Sequence, residues 1–509
     1  ITRPNVMLPC ALAMAATLLT STAAMAGGFE VGENTTKSVA RGGTGVALKA
    51  DPSALYFNPA LLPRARGFQV LLNTNLVALD VEFDRDPLVY GQGANRVERQ
   101  FDTATNDAGP FPAPFLTASW DMGIENFALA LGAFGPSAYG RLCYGQITED
   151  NTCELKAYPE PGEGVIQDPN AARHMMLESQ LLQIYFTLGA GYTFELKGDS
   201  ELSIGVAGAL AYQRNSFKIM LDAELPPRAP WEENPEDEAT FEAKDLTDLR
   251  PTGFFGLAYR NGGFHFGVSY RPPIRWKGEG SATLDLPQDL QDVSGARLTD
   301  DAVTLELTQA GTLRVGVGWT EGQHPRFENR PRLELEGNIV WEDWSRTQTF
   351  DVTLEGDIEL SLTDSSIDLA PIKQDKSWQD TYSLRLGGAY AINKWVTASL
   401  GGFMETPTQT SAYTNADFIA WERYGAGLGA TIHATDWLDI DLGYMYIGMP
   451  ERNVTSGDVY NAVPLSSCQE PYDSDACQEK GTPPGNPQNE GTWNARYQTS
   501  SVGFTLHFD

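Results

Sequence analysis

The sequence lacks the features that several large classes of protein require. Beyond residue 26 it has no stretch of about 18 apolar residues, so it offers no transmembrane helix. Positive charge is scarce: the formal net charge is −31, whereas nucleic-acid binding requires a basic face. The five histidines are scattered, and neither Gly-x-Ser-x-Gly nor His-Glu-x-x-His occurs in the 509 residues. We therefore predict neither an enzyme, nor a nucleic-acid-binding protein, nor a helical membrane protein.

The first 26 residues are predicted to be a secretory signal. Arg3 is their one charge, 7–19 form a short apolar core, and 24–26 (Ala-Met-Ala) form a small-x-small cleavage site. The core is too short to span a bilayer. The mature chain would begin at Gly27, and Cys10 is discarded with the signal because it lies too early for lipid attachment.

Few cysteines remain in the mature chain, and they form two local pairs, Cys143 with Cys153 and Cys468 with Cys477. An exported chain meets an oxidising compartment, so each pair is predicted to form a disulfide. Each bridge would contribute about 2–3 kcal/mol by closing a short loop. A zinc site is the alternative, but no histidine lies nearby and the pairs are far apart in sequence. No metal site is predicted.

Acidic residues are concentrated in stretches such as 232–248, which are interpreted as loops. The simpler interpretation of this charge is a solvated loop surface. The alternative is that divalent cations bridge these loops to one another or to anionic lipid headgroups.

From residue 67 onward, polar and apolar residues alternate with period two, which is typical of β-strands. In the stretch 438–446, Leu, Ile, Leu, Tyr and Tyr share one face, and Asp, Asp, Gly and Met share the other. This pattern predicts fourteen strands, approximately at 67–83, 112–121, 126–139, 178–195, 200–217, 252–260, 263–279, 311–320, 330–346, 378–391, 394–405, 420–433, 436–449 and 492–508.

Three features favour a membrane barrel over a soluble sandwich. The segments are long for soluble strands, their polar face is dense in glycine, and aromatic residues fall at segment ends as in an interfacial girdle. Short and long connections alternate, as an up-and-down barrel requires. The predicted fold is all-β: a 14-stranded antiparallel transmembrane β-barrel over 67–509, with long extracellular loops and both termini in the periplasm.

Residues 27–66 precede the first strand and do not alternate. They carry turn chemistry at 51–53 (Asp-Pro-Ser) and 58–60 (Asn-Pro-Ala), with apolar residues such as Val46 and Leu55 between the turns. A barrel of about fourteen strands is wide enough to hold an internal plug. We therefore predict that 27–66 form an N-terminal hatch inside the barrel.

The chain resembles the FadL/TodX family of outer-membrane transporters in an ordered series of motifs along the mature chain. The most specific is 51–60, which looks like that family's hatch signature. The hatch residues carried over are Asp51, Pro52, Asn58, Pro59 and Ala60. The other matching stretches are 28–29, 40–45, 262–271, 341–345 and 389–395.

The resemblance implies a passive outer-membrane channel, without a cofactor, for long-chain fatty acids or similar hydrophobic molecules. Cargo would be captured at outer loops and leave sideways through a kinked third strand. Alternatives are an uptake channel for aromatic hydrocarbons, a surface receptor or adhesin, a general porin and an outer-membrane hydrolase. Expected partners are the hydrophobic cargo, outer-membrane lipid and lipopolysaccharide, and the barrel-assembly machinery. The chain is expected to be a monomer.

The lateral gate is placed at Gly135-Pro136 in the third predicted strand. Proline lacks a ladder donor and glycine weakens pairing, so this step would break the barrel wall. The alternative is that the same two residues merely end the strand at the outer rim.

Four residues are candidates for contact with the cargo. By the alternation, Arg314, Arg385 and Arg423 point into the lumen, where a guanidinium could hold a carboxylate by two hydrogen bonds. Alternatively, these arginines pair with lumenal acids. Phe29 is the candidate for contacting an apolar tail, and plain packing of the hatch is its alternative.

Overall fold

The computed structural model describes residues 28, 34–90, 96–135, 140–159, 165–222, 233, 238–287, 296–328, 330–360, 365–367, 371–460 and 486–508. Several sequence predictions lie outside these residues: the signal at 1–26, the cargo contact of Phe29, Pro136 of the gate, and the pair Cys468–Cys477.

Fourteen antiparallel strands form a closed barrel, as the sequence predicts. The last strand pairs with the first along its whole length, from Phe68 opposite Phe508 to Arg85 opposite Gly491. The barrel strands are β1 (Phe68–Arg85), β2 (Phe111–Trp120), β3 (Phe127–Phe134), β4 (Glu178–Glu195), β5 (Ser200–Asp222), β6 (Glu238–Asn261), β7 (Phe264–Arg271), β8 (Thr312–Glu321), β9 (Leu333–Glu342), β10 (Thr381–Ala391), β11 (Val396–Glu405), β12 (Arg423–His433), β13 (Leu438–Val454) and β14 (Gly491–Phe508).

Above β7 to β10 the wall continues in a second tier of paired strands. The tier consists of Ile274–Asp285, Ala302–Gln309, Thr349–Leu354 and Ile372–Asp375. The remaining strands belong to the long connections: Leu88–Tyr90, Val97–Phe101, Ala104–Thr105, Arg141–Cys143, Gln146–Ile147, Cys153–Glu154, Val165–Asp168, Ala296–Leu298, Ile358–Leu360 and Ser365–Ile367. The helices are α1 (Thr36–Ala40), α2 (Ala54–Phe57) and the 3-10 turns Pro59–Arg64 and Trp344–Arg346.

The outer face of the wall is apolar and the inner face is largely polar. On β4, for example, Phe186 and Leu188 are exposed, whereas Tyr185 and Thr187 face inward and are buried. This is the reverse of a soluble sandwich and is typical of a barrel whose outer face contacts lipid. Among the described residues, no helix is long and apolar enough to cross a membrane.

The interpretation of 232–248 as a loop was wrong over much of its length. Strand β6 begins at Glu238, not near residue 252. Its side chains alternate there: Ala239, Phe241 and Ala243 are buried, and the polar residues Thr240 and Glu242 lie between them. Because this part of the strand lies beyond the apolar band, its outward positions can carry charge, and the acidic composition concealed the period of two.

Candidate functional site

Residues 34–66 lie inside the barrel, and most of them are buried against the wall. At their N-terminal end, Thr36 is held by two strands: its amide donates to Asn73 Oδ1 at 2.6 Å, and its hydroxyl lies 2.7 Å from Ser501 Oγ. Asn73 belongs to β1 and Ser501 to β14, so this contact lies where the barrel closes.

The Asn-Pro-Ala motif forms a turn that is fastened to the wall. Asn58 Oδ1 accepts a hydrogen bond from the Ala60 amide at 3.1 Å and so caps the 3-10 turn that starts at Pro59. Asn58 Nδ2 donates to the carbonyls of Val46 at 2.8 Å and of Leu257 at 3.1 Å. Since Leu257 lies on β6, one side chain joins two parts of the hatch to the barrel.

The Glu336 carboxylate of β9 is bound by three consecutive backbone amides of the hatch. Oε1 accepts from Gly45 at 3.0 Å, from Val46 at 2.7 Å and from Ala47 at 2.9 Å. Gly45 has a φ of +154°, a conformation that favours glycine, and this lets the amides converge on one oxygen. We call this contact the Glu336 clasp.

Glycines on the lumenal face allow the hatch backbone to touch the wall. A Cβ on Gly267 would lie 2.1 Å from the Val46 carbonyl oxygen, and one on Gly427 would lie 2.1 Å from that of Val39. No ordinary side chain tolerates such approaches. The dense glycine seen in the sequence therefore has a direct role in packing, which is shared by Gly191, Gly205, Gly256, Gly387 and Gly401.

Arg314 differs from the other two candidate arginines. Its Nη2 donates to the Tyr56 hydroxyl of the hatch at 3.0 Å, and its guanidinium carbon lies 4.9 Å from the centroid of the same ring. The residue is 6% exposed, and its Nη1 has no hydrogen-bond partner among the described residues. No carboxylate lies within salt-bridge distance of it in the described part of the chain.

Arg385 and Arg423 share one carboxylate. One carboxylate oxygen of Glu405 on β11 lies 3.0 Å from Arg385 Nη2, and the other lies 2.5 Å from Arg423 Nη2. For these two residues, pairing with a lumenal acid fits the structure better than an exposed ligand site.

An aromatic cluster surrounds Tyr56 next to the predicted gate. Its ring centroid lies 5.6 Å from that of Phe134 on β3 and 5.9 Å from that of Phe254 on β6. Phe115 of β2 stacks on Phe134 at 4.6 Å, and Tyr185 of β4 meets Phe254 at 6.0 Å. The cluster joins the hatch to the strands on either side of β3.

Beside the end of β3, the described pairing of the wall stops on either side of residues 136–139, which lie outside the described residues. Pairing of β4 with β3 stops at Tyr185 opposite Phe134, and pairing of β4 on that side resumes only at Gln180 opposite Arg141. Among the described residues, no strand pairs with 182–184 on that side. A mostly apolar cavity of about 480 Å³ lies here, lined by Phe111, Ala113, Pro114, Phe134, Gly135 and Leu182 among others.

Gly135 lines this cavity directly after the end of β3. A Cβ at Gly135 would lie 2.3 Å from the Gln183 carbonyl oxygen, so this position requires glycine. The lateral gate at Gly135-Pro136 stays a prediction, and Pro136 lies outside the described residues.

At the long-loop end, buried charges join two long connections to strands β1 and β6. Arg85 Nη2 lies 2.6 Å from Glu233 Oε1, and Arg173 lies 2.7 Å from Glu238 and 2.8 Å from Asp168. Although burial alone would raise the pKa of the Glu233 carboxyl, the adjacent Arg85 lowers it to about 2. Sequence reasoning missed this cluster because its members are far apart in the chain.

The connection 406–422 is turned inward at the same end. Tyr144 donates through its hydroxyl to the Ala416 carbonyl at 2.9 Å, and Tyr497 donates to that of Ile419 at 3.2 Å. The Cys143–Cys153 disulfide, with Cα atoms 5.9 Å apart, lies next to Tyr144. The described residues contain no group of three or more ligands that could hold a metal ion.

A family of outer membrane transport proteins, described as OMPP1/FadL/TodX, matches residues 166–477. A FadL homologue of Pseudomonas aeruginosa has a TM-score of 0.66 at 17% identity, over 95% of this chain and 100% of that chain. The toluene transporters TodX of P. putida and TbuX of Ralstonia pickettii each have a TM-score of 0.57 at 14% identity, over 94% of this chain and 99% of theirs. At these identities the structures show a shared fold. No curated protein sequence matches this chain.

Proposed function

Because this chain belongs to the OMPP1/FadL/TodX family of outer membrane transport proteins, we propose that it is a passive channel that takes up a small hydrophobic molecule. Its barrel lies in the bacterial outer membrane, as predicted. The long connections then face outward, and the short turns and the two ends of the barrel chain, at the start of β1 and the end of β14, face the periplasm.

The observation that carries the proposal is the mostly apolar cavity at the end of β3, which is lined by Phe134 and Gly135 among others. The hatch fills the barrel centre, while the aromatic cluster around Tyr56 leads to this cavity. Each buried methylene gains roughly 0.8 kcal/mol, so such a surface can draw an apolar molecule out of water without a motor. Cargo would leave sideways into the membrane through the wall at the Gly135-Pro136 step.

Two cargo classes are supported by different residues. Arg314, buried and without a carboxylate partner among the described residues, suits the acid group of a long-chain fatty acid. The cluster of Tyr56, Phe115, Phe134 and Phe254 suits a small aromatic hydrocarbon, the cargo named for the toluene transporters that share the fold.

The remaining expectations belong to the same proposal. We infer a cleaved signal at 1–26, a hatch at 27–66 and a barrel at 67–509, with neither enzymatic activity nor a cofactor. The apolar outer face would contact lipid and lipopolysaccharide around a monomer inserted by the barrel-assembly machinery. Divalent cations at the acidic loops remain part of the proposal.

Filling the cavity tests the exit. Ala113 lines the cavity, so Ala113→Trp should reduce uptake of radiolabelled oleate and toluene by about tenfold or more, because an indole occupies much of such a space. The matched control is Ala426→Trp, on the exposed outer face of β12, which should leave uptake unchanged. Both variants should keep the heat-dependent gel shift of a folded barrel.

Wild-type uptake by Ala113→Trp would reject the lateral exit. Large steady ion conductance of the wild-type protein in a planar bilayer would instead favour a general porin. No uptake of either cargo by the folded wild-type protein would favour a receptor or adhesin.

A further inference from the structure

The apolar cavity at the end of β3 has a mouth on the lipid-facing side of the wall. Three of its lining residues, Leu116, Leu182 and Phe186, point outward and are exposed. Two others, Phe134 and Gln183, are buried on the inner side. Because both faces of the wall contribute to its lining, the cavity can be reached from the membrane.

The outer rim of this mouth is polar, although most of the cavity is apolar. Arg214 and Ser216 of β5 line the cavity and lie on the outward face of that strand, as Tyr212 does. Nearer the periplasm, the outward residues of β5 include Leu210 and Val206, which are apolar and exposed. The rim therefore lies at the outer edge of the apolar band, where the lipid head groups begin.

A β-bulge in β6 brings a carboxylate to the rim. The pairing of β5 with β6 shifts its register between Asn215 and Phe217, so that two residues of β6 lie opposite Ser216. One of the two is Asp245, whose φ of +55° is uncommon for a residue other than glycine. Its amide donates to Ser216 Oγ at 3.0 Å. Bulges redirect side chains, and this one turns the carboxylate towards Arg214.

The guanidinium of Arg214 is only partly occupied by Asp245. Arg214 Nε donates to Asp245 Oδ1 at 2.6 Å, and Nη2 contacts the same oxygen. Among the described residues, Nη1 has no hydrogen-bond partner. The two side chains are 53% and 60% exposed, so water screens their attraction. Another carboxylate can therefore share or take the place of Asp245 at little cost.

A single-chain molecule with one anionic end fits this arrangement. Its carboxylate can accept hydrogen bonds from Arg214, since a guanidinium offers donors in a fixed fork. Its apolar chain can lie against Leu182, which is directly opposite Arg214 on β4, and against Phe186 of the same strand. Toluene has no acid group and could use only the apolar part of the mouth.

We propose that Arg214 is a head-group anchor at the membrane mouth of the cavity, where it binds the carboxylate of a departing fatty acid. Asp245 occupies part of the guanidinium when no cargo is present and competes with the cargo for it. The anchor keeps the acid group at the level of the lipid head groups while the chain enters the membrane. This inference rests on the proposed function, because it takes the cavity to be the exit.

Photolabelling of the purified protein in phosphatidylcholine nanodiscs tests the anchor. The probe is a long-chain fatty acid with a diazirine next to its carboxyl group, and mass spectrometry locates the labelled residues. We expect labelling within 212–216 in the wild type. Arg214→Leu should reduce it by about fivefold or more, because the charge-assisted hydrogen bonds are lost. Asp245→Asn should increase it by about twofold, because the competing carboxylate is removed.

The opposite effects of the two variants distinguish an anchor from an ion pair that only supports the bulge, whose loss should lower labelling in both. Arg496 of β14 provides the matched control, since it is 55% exposed and pairs with Asp80 at 2.8 Å but does not line the cavity. Arg496→Leu should leave labelling unchanged. An alkyl diazirine without the acid group should label all these proteins equally, and each should keep the gel shift of a folded barrel.

Equal labelling of the wild type and Arg214→Leu would overturn the anchor, as would a decrease in Asp245→Asn. Loss of wild-type labelling when phosphatidylglycerol replaces phosphatidylcholine would assign Arg214 to lipid phosphates and overturn its role for cargo. Uptake of oleate and toluene by cells separates this result from the proposed function. If the wild type takes up neither, transport is rejected, while the labelling still decides whether Arg214 binds a fatty-acid head group.

Discussion

Arg314 is the residue at which the chemistry of the cargo should be decided. It is held in place by the Tyr56 hydroxyl, yet no carboxylate neutralises it among the described residues. Arg385 and Arg423 provide a natural comparison because both share Glu405. All three look alike in the sequence, since alternation shows only that they point inward. Their different partners depend on which strand lies opposite, and no local pattern reveals that.

For Arg314→Leu we expect the affinity for oleate to fall by about 10- to 100-fold, because a charge-assisted hydrogen bond is worth roughly 1.5–3 kcal/mol. Affinity for toluene, which has no acid group, should be unchanged. Tryptophan fluorescence titration of the purified protein measures both. Arg385→Leu is the matched control, although it leaves Glu405 with one partner fewer. Equal loss for oleate and toluene would mean that Arg314 acts only by packing against the hatch.

At the scale of elements, the hatch is fixed to the wall by specific contacts as well as by filling space. The Glu336 clasp and Asn58 connect it to β9 and β6, and glycines bring its backbone against the strands. The hatch is partly predictable from the sequence, because turn residues and dense glycine indicate a plug inside a barrel. The clasp is not visible, since Glu336 looks like any other charged position on a polar face.

Two replacements of Glu336 should destabilise the hatch to different degrees. Glu336→Gln keeps an acceptor oxygen but loses the charge, and should destabilise the hatch by about 1–2 kcal/mol. Glu336→Ala leaves three buried amides without their acceptor, and should cost about 3 kcal/mol or more. Hydrogen exchange at the amides of 45–47 reports this directly, with the β13–β14 ladder as internal reference. Equal exchange in the wild type and Glu336→Ala would show that the clasp does not hold the hatch.

On the scale of the whole molecule, the alternation of side chains predicted the number of strands and the closed barrel. It failed where strands leave the membrane, as at the start of β6, because both faces there meet polar surroundings or other loops. The contacts of the β8–β9 connection, residues 322–332, were missed for a different reason. A connection has no period, and Asp436 and Asp439, the partners of Arg326 and Arg330, lie over one hundred residues away in sequence. Contacts of this kind follow from closure of the barrel, which no short stretch encodes.

Arg85, Arg173 and Glu233 form one charge cluster at the outer end of the barrel. We therefore expect the outer connections to open together at acidic pH. The folded-state pKa of Glu233 is lowered from 4.5 to about 2, so its contribution to stability is complete above pH 4.5. That contribution, on the order of 3 kcal/mol, is lost as the pH falls from 4.5 towards 2. Limited digestion with pepsin over this range should show the outer connections opening before the barrel does.

In the Glu233→Gln variant the outer connections should already be open to trypsin at pH 7, because Arg85 is then buried without its charge partner. Glu154→Gln, at a half-exposed position in the same region, should resist trypsin as the wild type does. If Glu233→Gln resists trypsin as well as the wild type does, the outer connections do not depend on this cluster for their closed structure.

Strands β5 and β6 are long, with 23 and 24 residues, and their length determines how far the barrel extends from the membrane. At about 3.3 Å per residue each is roughly 75 Å long, whereas the apolar band of such a barrel is about 25 Å tall. Even with a tilt of about 40°, much of each strand extends above the bilayer as part of the barrel wall. The outer opening of the barrel therefore lies within the lipopolysaccharide sugars of the cell surface. A hydrophobic molecule can then enter the protein without first crossing the densest layer of those sugars.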